Sequence, residues 1–411
     1  MKTYFQLHPT IRVRLIMVFF GVLCSSAVTG SMTIYYNHYM GAGVTGILLM
    51  ISSVLVFVIG LWAGHLSDLR GRRPLMIFAD VLSVSGAAVA TFANSPLLTS
   101  PWLTYFGFLV FNFGYGFFNT ASQAMLVDLT NSENRRDVYS IQYWFINFGF
   151  LLGAALSGWF FRDFLFWLLL VLTLEEAVNL LVMVVAIPES FKPEARMQKK
   201  APGIFRSYLA VSKDLAFMYY LLASVGIAMI FNQMSNYLPV YLADHFQTAR
   251  VLGFEIYGQR MLSVVLMINT ALIVVFMGFS NKLTKNWTRK TGLTAGIFLN
   301  GLGFALAFLG KNFGMEALAS VIMTVGEMIL VPVSQALRAD LMEGEKVGTY
   351  QGAFSVTQPV ASVLSGGLVS LSGVLGNVGM ALILGGITFA GIAASVKAVT
   401  LHERPKMPTS S

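Results

Sequence analysis

Three carboxylates sit where water should be scarce. Glu175 and Glu176 interrupt the apolar run 164–187, and Glu327 interrupts the run 314–337. A charge held at the centre of a membrane helix costs about 2.5–3.5 kcal/mol on insertion scales, so such groups are functional candidates by default. A carboxyl in that setting can trade a proton for a cation or for water, which is the chemistry that coupled exchange across a membrane needs. Glu327 lies between Thr324 and Pro332 in a glycine-containing stretch. Neighbours on a helix point about 100° apart, so Glu175 and Glu176 are not expected to face one cavity squarely. Arg260, with Glu255 before it, reads as lying about two turns into another apolar helix. A buried arginine pairs, snorkels or binds an anion, and the spacing leaves these open.

The elements that position these groups follow from composition. The chain has 411 residues, 56% hydrophobic and 11% charged, where a soluble protein carries about 25% charged. A mean hydropathy of +0.70 excludes an ordinary soluble enzyme. Spanning a bilayer takes about 20 mostly apolar residues. Such runs lie near 11–35, 43–66, 75–94, 102–127, 138–160, 164–187, 214–240, 254–280, 292–310, 314–337, 348–370 and 374–398. The expected fold class is therefore an all-α membrane protein of twelve helices. Each run is too long for a barrel strand, and none alternates as a porin strand does.

A net charge of +8 invites a nucleic-acid reading. The basic residues refuse it, because they sit between apolar runs instead of on one face. With both termini placed in the cytoplasm, only Arg162, Arg250 and Lys311 fall in outer loops, and Arg260 within a helix. Positive charge retains short loops on the inner side, so this asymmetry predicts the orientation. Lys2, Arg12 and Arg14 before the first run resemble a signal peptide, but the run is too long, so a retained first span is expected. The lone Cys24 and five scattered histidines predict neither a disulfide nor a metal site.

The polar stretch 188–213 divides the runs six and six, predicting bundles at 1–190 and 214–411 joined by a cytoplasmic linker at 191–213. The halves are related. Ser122-Gln123-Ala124-Met125-Leu126-Val127-Asp128-Leu129 matches Ser334-Gln335-Ala336-Leu337-Arg338-Ala339-Asp340-Leu341 at five of eight positions, 212 residues later. Six helices on, the same segment returns to the same side of the membrane, as in a two-lobed transporter with a midplane cavity.

After the second run comes Gly64-His65-Leu66-Ser67-Asp68-Leu69-Arg70-Gly71-Arg72-Arg73-Pro74. Gly71 permits a tight turn and Gly64 a close helix approach. Asp68 at the membrane edge can pair with arginines, Arg72 and Arg73 among them, or face a helix N-terminus. Opening the cytoplasmic side would break that pairing, and Asp128 can join the same latch. The matching loop 281–290 holds no acidic residue, so a weaker latch is expected there.

This loop resembles the signature of the major facilitator superfamily, over the whole chain. Ser31-Met32-Thr33-Ile34-Tyr35-Tyr36-Asn37, Asn131-Ser132-Glu133-Asn134-Arg135 and Gly253-Phe254-Glu255-Ile256-Tyr257-Gly258-Gln259-Arg260-Met261-Leu262 are similar to stretches of its lactococcal-type multidrug/proton antiporters. Gly149, Gly153, Ala154 and Gly158 resemble the antiporter glycine motif, with Ala154 where proline is usual. The resemblance implies two six-helix bundles, alternating access and a proton-binding role for Glu327. It also marks a departure. Where those antiporters carry membrane aspartates, this chain has Gln142, beside Trp144, and Ser235, close to Asn232. Neither titrates, and Glu175 or Glu176 is the candidate substitute.

The expected function is proton-driven export of lipophilic, cationic small molecules across a bacterial cytoplasmic membrane. Its partners would be protons, cargo and membrane lipids, with no nucleic acid and no cofactor beyond the proton gradient. No Gly-x-x-x-x-Gly-Lys phosphate loop is present. Adaptable methionines and aromatic faces suit organic cations. The alternative is a facilitator for one natural substrate such as a sugar, peptide or lipid.

Overall fold

The computed structural model describes residues 7–130, 135–190, 212–284, 286–342, 350 and 353–403. Eleven helices run through them. They are α1 (Pro9–Thr29), α2 (Met32–Arg70), α3 (Arg72–Phe92), α4 (Pro101–Leu129), α5 (Arg135–Ala186), α6 (Leu215–Asn232), α7 (Tyr237–His245), α8 (Gly258–Leu283), α9 (Arg289–Ala307), α10 (Phe313–Leu341) and α11 (Thr357–His402). Seven helical stretches among the described residues are long and apolar enough to cross a membrane. Exposed apolar side chains such as Trp62, Val185, Leu382 and Phe389 stud these helices. On a soluble monomer so much exposed apolar surface would be a liability, whereas hydrocarbon solvates it.

Several sequence boundaries move. The run 11–35 ends early: a new helix begins at Met32, with Ser31 at the position before it, and carries residues 32–35. Gly41 (φ 77°) then breaks α2, and Gly376 (φ 63°) breaks α11. A single non-helical residue, Phe164, divides α5 where two runs were expected to meet. The run 214–240 is interrupted by the turn between α6 and α7. The run 254–280 begins late, since β3 (Ala249–Val251) and β4 (Phe254–Ile256) form an antiparallel hairpin. Leu252 and Gly253 at its tip both have positive φ, the turn that matches the twist of paired strands. A second small hairpin pairs β1 (Asn94–Ser95) with β2 (Leu98–Thr99).

Backbone packing separates two compact units, Met1–Gln198 and Lys199–Ser411. In the first, α1 packs along α5, and α3 packs against both α4 and α5. In the second, α6 and α9 pack along α11, and α9 also along α10. Glycines set the close contacts in both. A Cβ on Gly114 would stand 2.6 Å from the Ala79 carbonyl oxygen, and one on Gly296 2.8 Å from the Leu330 backbone. Most of the linker, residues 191–211, lies outside the described residues.

Candidate functional site

The first unit holds a cavity of about 430 Å³. Its walls come from α1 (Met17, Gly21, Ser25), α3 (Asp80, Ser83), α4 (Phe111, Asn112, Tyr115, Phe118, Asn119) and α5 (Gln142, Phe150, Glu176, Asn179). Helix packing explains why a charged residue is trapped there. Ala79, Ser83, Gly86, Ala87 and Ala90 give α3 a small-residue face. Against it lie Gly107 and Gly114 of α4, close enough that a Cβ on Gly107 would stand 2.8 Å from the Gly86 carbonyl oxygen. Asp80, next to that face, is left 3% exposed.

Asp80 was not among the carboxylates singled out from sequence. It shares the cavity with Glu176. Glu175 turns aside as the helical angle requires: its Oε1 accepts a hydrogen bond from Asn179 and lies toward Gly21 of α1. The Oδ2 of Asp80, the Oε2 of Glu175 and the Oε1 of Gln142 have no hydrogen-bond partner among the described residues. None of the three acids shares an ion pair with a basic side chain among the described residues. Arg14 of α1 is engaged at one edge of the cavity, donating to the carbonyl oxygen of Ser122 at 2.7 Å and to its hydroxyl. The cavity thus gathers acidic groups without a basic ion-pair partner among the described residues.

Gln142, 7% exposed, joins this site. Trp144 does not line it; the ring is half exposed and stacks on Phe148 at 5.0 Å. In the second unit, Glu327 accepts a hydrogen bond from Asn269 Nδ2 at 2.8 Å, and Asn269 also donates to Thr324 at 3.2 Å. Asn232 ends α6, donating to Ser362 and accepting from Gln358 at 3.0 Å. Ser235 is exposed in the turn that follows. Arg260 sits in the first turn of α8, not two turns in, because the hairpin delays the helix start. It donates to the Glu255 carbonyl oxygen at 2.6 Å and lies over the Tyr257 ring.

The expected latch takes a particular form. Gly71 (φ 94°) adopts a backbone that L side chains resist, ending α2 and starting α3 within one residue. Arg72 reaches Asp128 at 3.2 Å and donates to the Ser67 carbonyl oxygen at 2.7 Å. Ser190 adds a 3.3 Å bond to the same Asp128 oxygen. Glu189, which sequence reasoning missed, accepts from the backbone N–H groups of Arg72 (3.2 Å) and Arg73 (3.1 Å). A carboxylate there satisfies two orphan donors and complements the helix dipole. Arg73 donates to the Val184 carbonyl oxygen at 2.7 Å. Gly64 and Asp68 lie outside the described side chains.

The matching end of the second unit is not short of acid, as its loop alone implied. Arg289 pairs with Asp340 from the end of α10, and Lys290 with Glu403 beyond α11 at 3.8 Å. Arg72–Asp128 and Arg289–Asp340 are the same contact made twice, at the two copies of the repeated octapeptide.

Two signals could have exposed the missed groups. Asp80 is a lone carboxylate in the run 75–94, and the rule that selected Glu327 selects it too. Glu189 carries no such signal, since its role depends on α5 ending beside the start of α3.

Comparison with known proteins gives the family and the fold. Residues 15–287 and 255–411 match the family described as Major Facilitator Superfamily. A Na(+), Li(+), K(+)/H(+) antiporter of Planococcus maritimus is 24% identical over 87% of this chain and 88% of its own length. The multidrug resistance protein MdtH of Escherichia coli is 22% identical over 76% of this chain and 73% of its own. The crystal structure of a POT family transporter in complex with a thioalcohol-conjugated peptide superposes with a TM-score of 0.76 at 15% identity, covering 98% of this chain and 100% of that one. That last likeness speaks to the fold.

Proposed function

The chain belongs to the Major Facilitator Superfamily of secondary transporters, and from that premise we propose that it is a proton-coupled antiporter exporting lipophilic cations. It is an integral membrane protein and a transporter, not an enzyme. In the proposal it crosses the bacterial cell membrane twelve times with both termini cytoplasmic, and its kinship is with the lactococcal-type multidrug/proton antiporters.

One observation carries the reading: a cavity whose carboxyls, buried Asp80 and half-buried Glu176, have no basic partner among the described residues. A cation entering such a site replaces a proton, and a returning proton replaces the cation, so the two cannot occupy it together. Phe111, Tyr115, Phe118 and Phe150 on the walls attract an organic cation through their ring faces. Its volume lies within the ordinary range for small-molecule sites. Asp80, Glu175 and Glu176 then stand in for the missing aspartates at Gln142 and Ser235. Glu327, tuned by Asn269, is a second exchanging carboxyl. The Arg72–Asp128–Glu189 cluster holds the start of α3 and serves as the latch, with Asp68, Arg73 and the glycines at 64 and 71. The printed names of the Planococcus maritimus and Escherichia coli relatives, a cation/proton antiporter and a multidrug resistance protein, support the same direction.

The test is dye efflux. Everted vesicles carrying the protein should accumulate ethidium or tetraphenylphosphonium only while a proton gradient is maintained, and cargo addition should release protons. Cargo movement at the same rate without the gradient would overturn proton coupling. Gradient-driven uptake of a peptide or sugar with no dye movement would put the narrow-substrate reading in its place.

A further inference from the structure

We propose that Asp80, with Glu176 and the neutral oxygens around it, binds a bare monovalent inorganic cation, Na+ or K+. The inference rests on reading this cavity as a seat for cations and adds which cation its Asp80 end takes.

The donor set is made of hard oxygens. Asp80 is 3% exposed, and its Oδ2 has no hydrogen-bond partner among the described residues. Gln142 is 7% exposed, lines the same cavity, and its Oε1 is likewise unpartnered among the described residues. Two buried acceptors with nothing to accept from are costly unless something positive arrives. Ser83, Asn112 and Asn119 add hydroxyl and amide oxygens on the same walls. No thiol or imidazole lines the cavity among the described residues, and its sulfur is the thioether of Met17, so a borderline metal has no strong anchor.

Charge and size choose within the hard cations. Among the described residues no three His, Cys, Asp or Glu side chains converge closely enough to hold a metal ion, so a divalent ion lacks the anionic ligands it needs. An organic cation is limited by its substituents. It can lie along the aromatic wall with its charged end toward Asp80, but a carboxylate only 3% exposed leaves no room for bulk around it. A bare ion has no such bulk. The titratable groups that line the cavity with Asp80 are Tyr115 from α4 and Glu176 from α5; Glu175 is turned aside toward Asn179, and Arg14 donates to Ser122.

The measurement is equilibrium binding of radiolabelled sodium to the purified full-length protein in detergent, at constant ionic strength balanced with N-methylglucamine chloride. Saturable binding is expected, displaced by unlabelled Na+ or K+ and not by N-methylglucamine or Mg2+. Asp80→Asn should weaken it about tenfold or more, the scale of losing a charged partner. If that variant does not elute as a single folded species, Gln142→Leu and Glu176→Gln are measured instead, and each should weaken binding measurably. Undiminished sodium binding in the folded variants overturns the proposal, and so does displacement by Mg2+ with higher affinity than by Na+. Absence of sodium binding while tetraphenylphosphonium still binds overturns it and leaves organic-cation transport standing. Absence of both overturns the transport reading as well.

Discussion

The two units share a scaffold and place the carboxyls of their apolar runs differently. At the 212-residue offset of the repeat, Glu327 of α10 corresponds to Tyr115 of α4, which lines the first unit's cavity. That unit carries its acid on the flanking helices instead, Asp80 on α3 and Glu175 and Glu176 on α5. Common packing therefore does not dictate where a carboxyl sits. Close helix approach through glycine and an ion pair at the helix ends recur in both units, because they hold the bundle together. An interior carboxyl needs only a helix face turned inward, and several helices offer one.

The helix-end pairs differ in burial as well. The Arg72 side chain is 3% exposed against Asp128, whereas Arg289 and Asp340 are 39% and 30% exposed. Lys290 and Glu403 are more exposed still, at 42% and 49%. Pairs this open contribute about 0–1 kcal/mol, while a buried guanidinium with several acceptors holds its helix ends together more firmly. The pairs of the second unit are the more exposed ones, and acid is not what they lack.

The largest test of the contrast is in transport. Glu175→Gln with Glu176→Gln should abolish gradient-driven efflux while the protein still inserts and purifies; unchanged proton exchange in vesicles would remove these two glutamates from the mechanism. Glu327→Gln should also stop cargo-dependent proton release, and a full rate would confine coupling to the first unit. Next come the glycine contacts. Gly114→Ala and Gly326→Ala both drive a Cβ into backbone, 2.6 Å from the Ala79 carbonyl oxygen and 2.3 Å from the Asn300 nitrogen. Each should cost about 1–3 kcal/mol by overpacking, read as a lower unfolding temperature in detergent. Gly385→Ala, with nothing within 4 Å, should leave it unchanged. The smallest effect separates the two helix-end ion pairs. Arg72→Ala should destabilise by about 1–3 kcal/mol through its lost charge-assisted bonds, and Arg289→Ala by about 0–1 kcal/mol. Equal losses in thermal unfolding would erase the asymmetry.

Much of this architecture was legible beforehand. Apolar run lengths announced a helical membrane protein, since a chain in hydrocarbon must satisfy its backbone within each helix. The octapeptide that carries Asp128 in one copy and Asp340 in the other announced the repeat. Breaks were less legible: Gly41 and Gly376 look like ordinary glycines until their positive φ is seen. Arg260 was placed too deep because a two-residue hairpin turn at Leu252-Gly253 does not interrupt hydropathy.

Composition and periodicity by themselves determined the solvent this chain lives in, its helices and the candidacy of Glu175, Glu176 and Glu327, because burying apolar runs and isolating charge are properties of single segments. Only the tertiary structure decided that Glu176 and not Glu175 faces the cavity, that Asp80 joins it, and that Glu189 caps α3. Those facts depend on helix rotation and on which helix ends meet, and both are set by contacts between residues far apart in the chain.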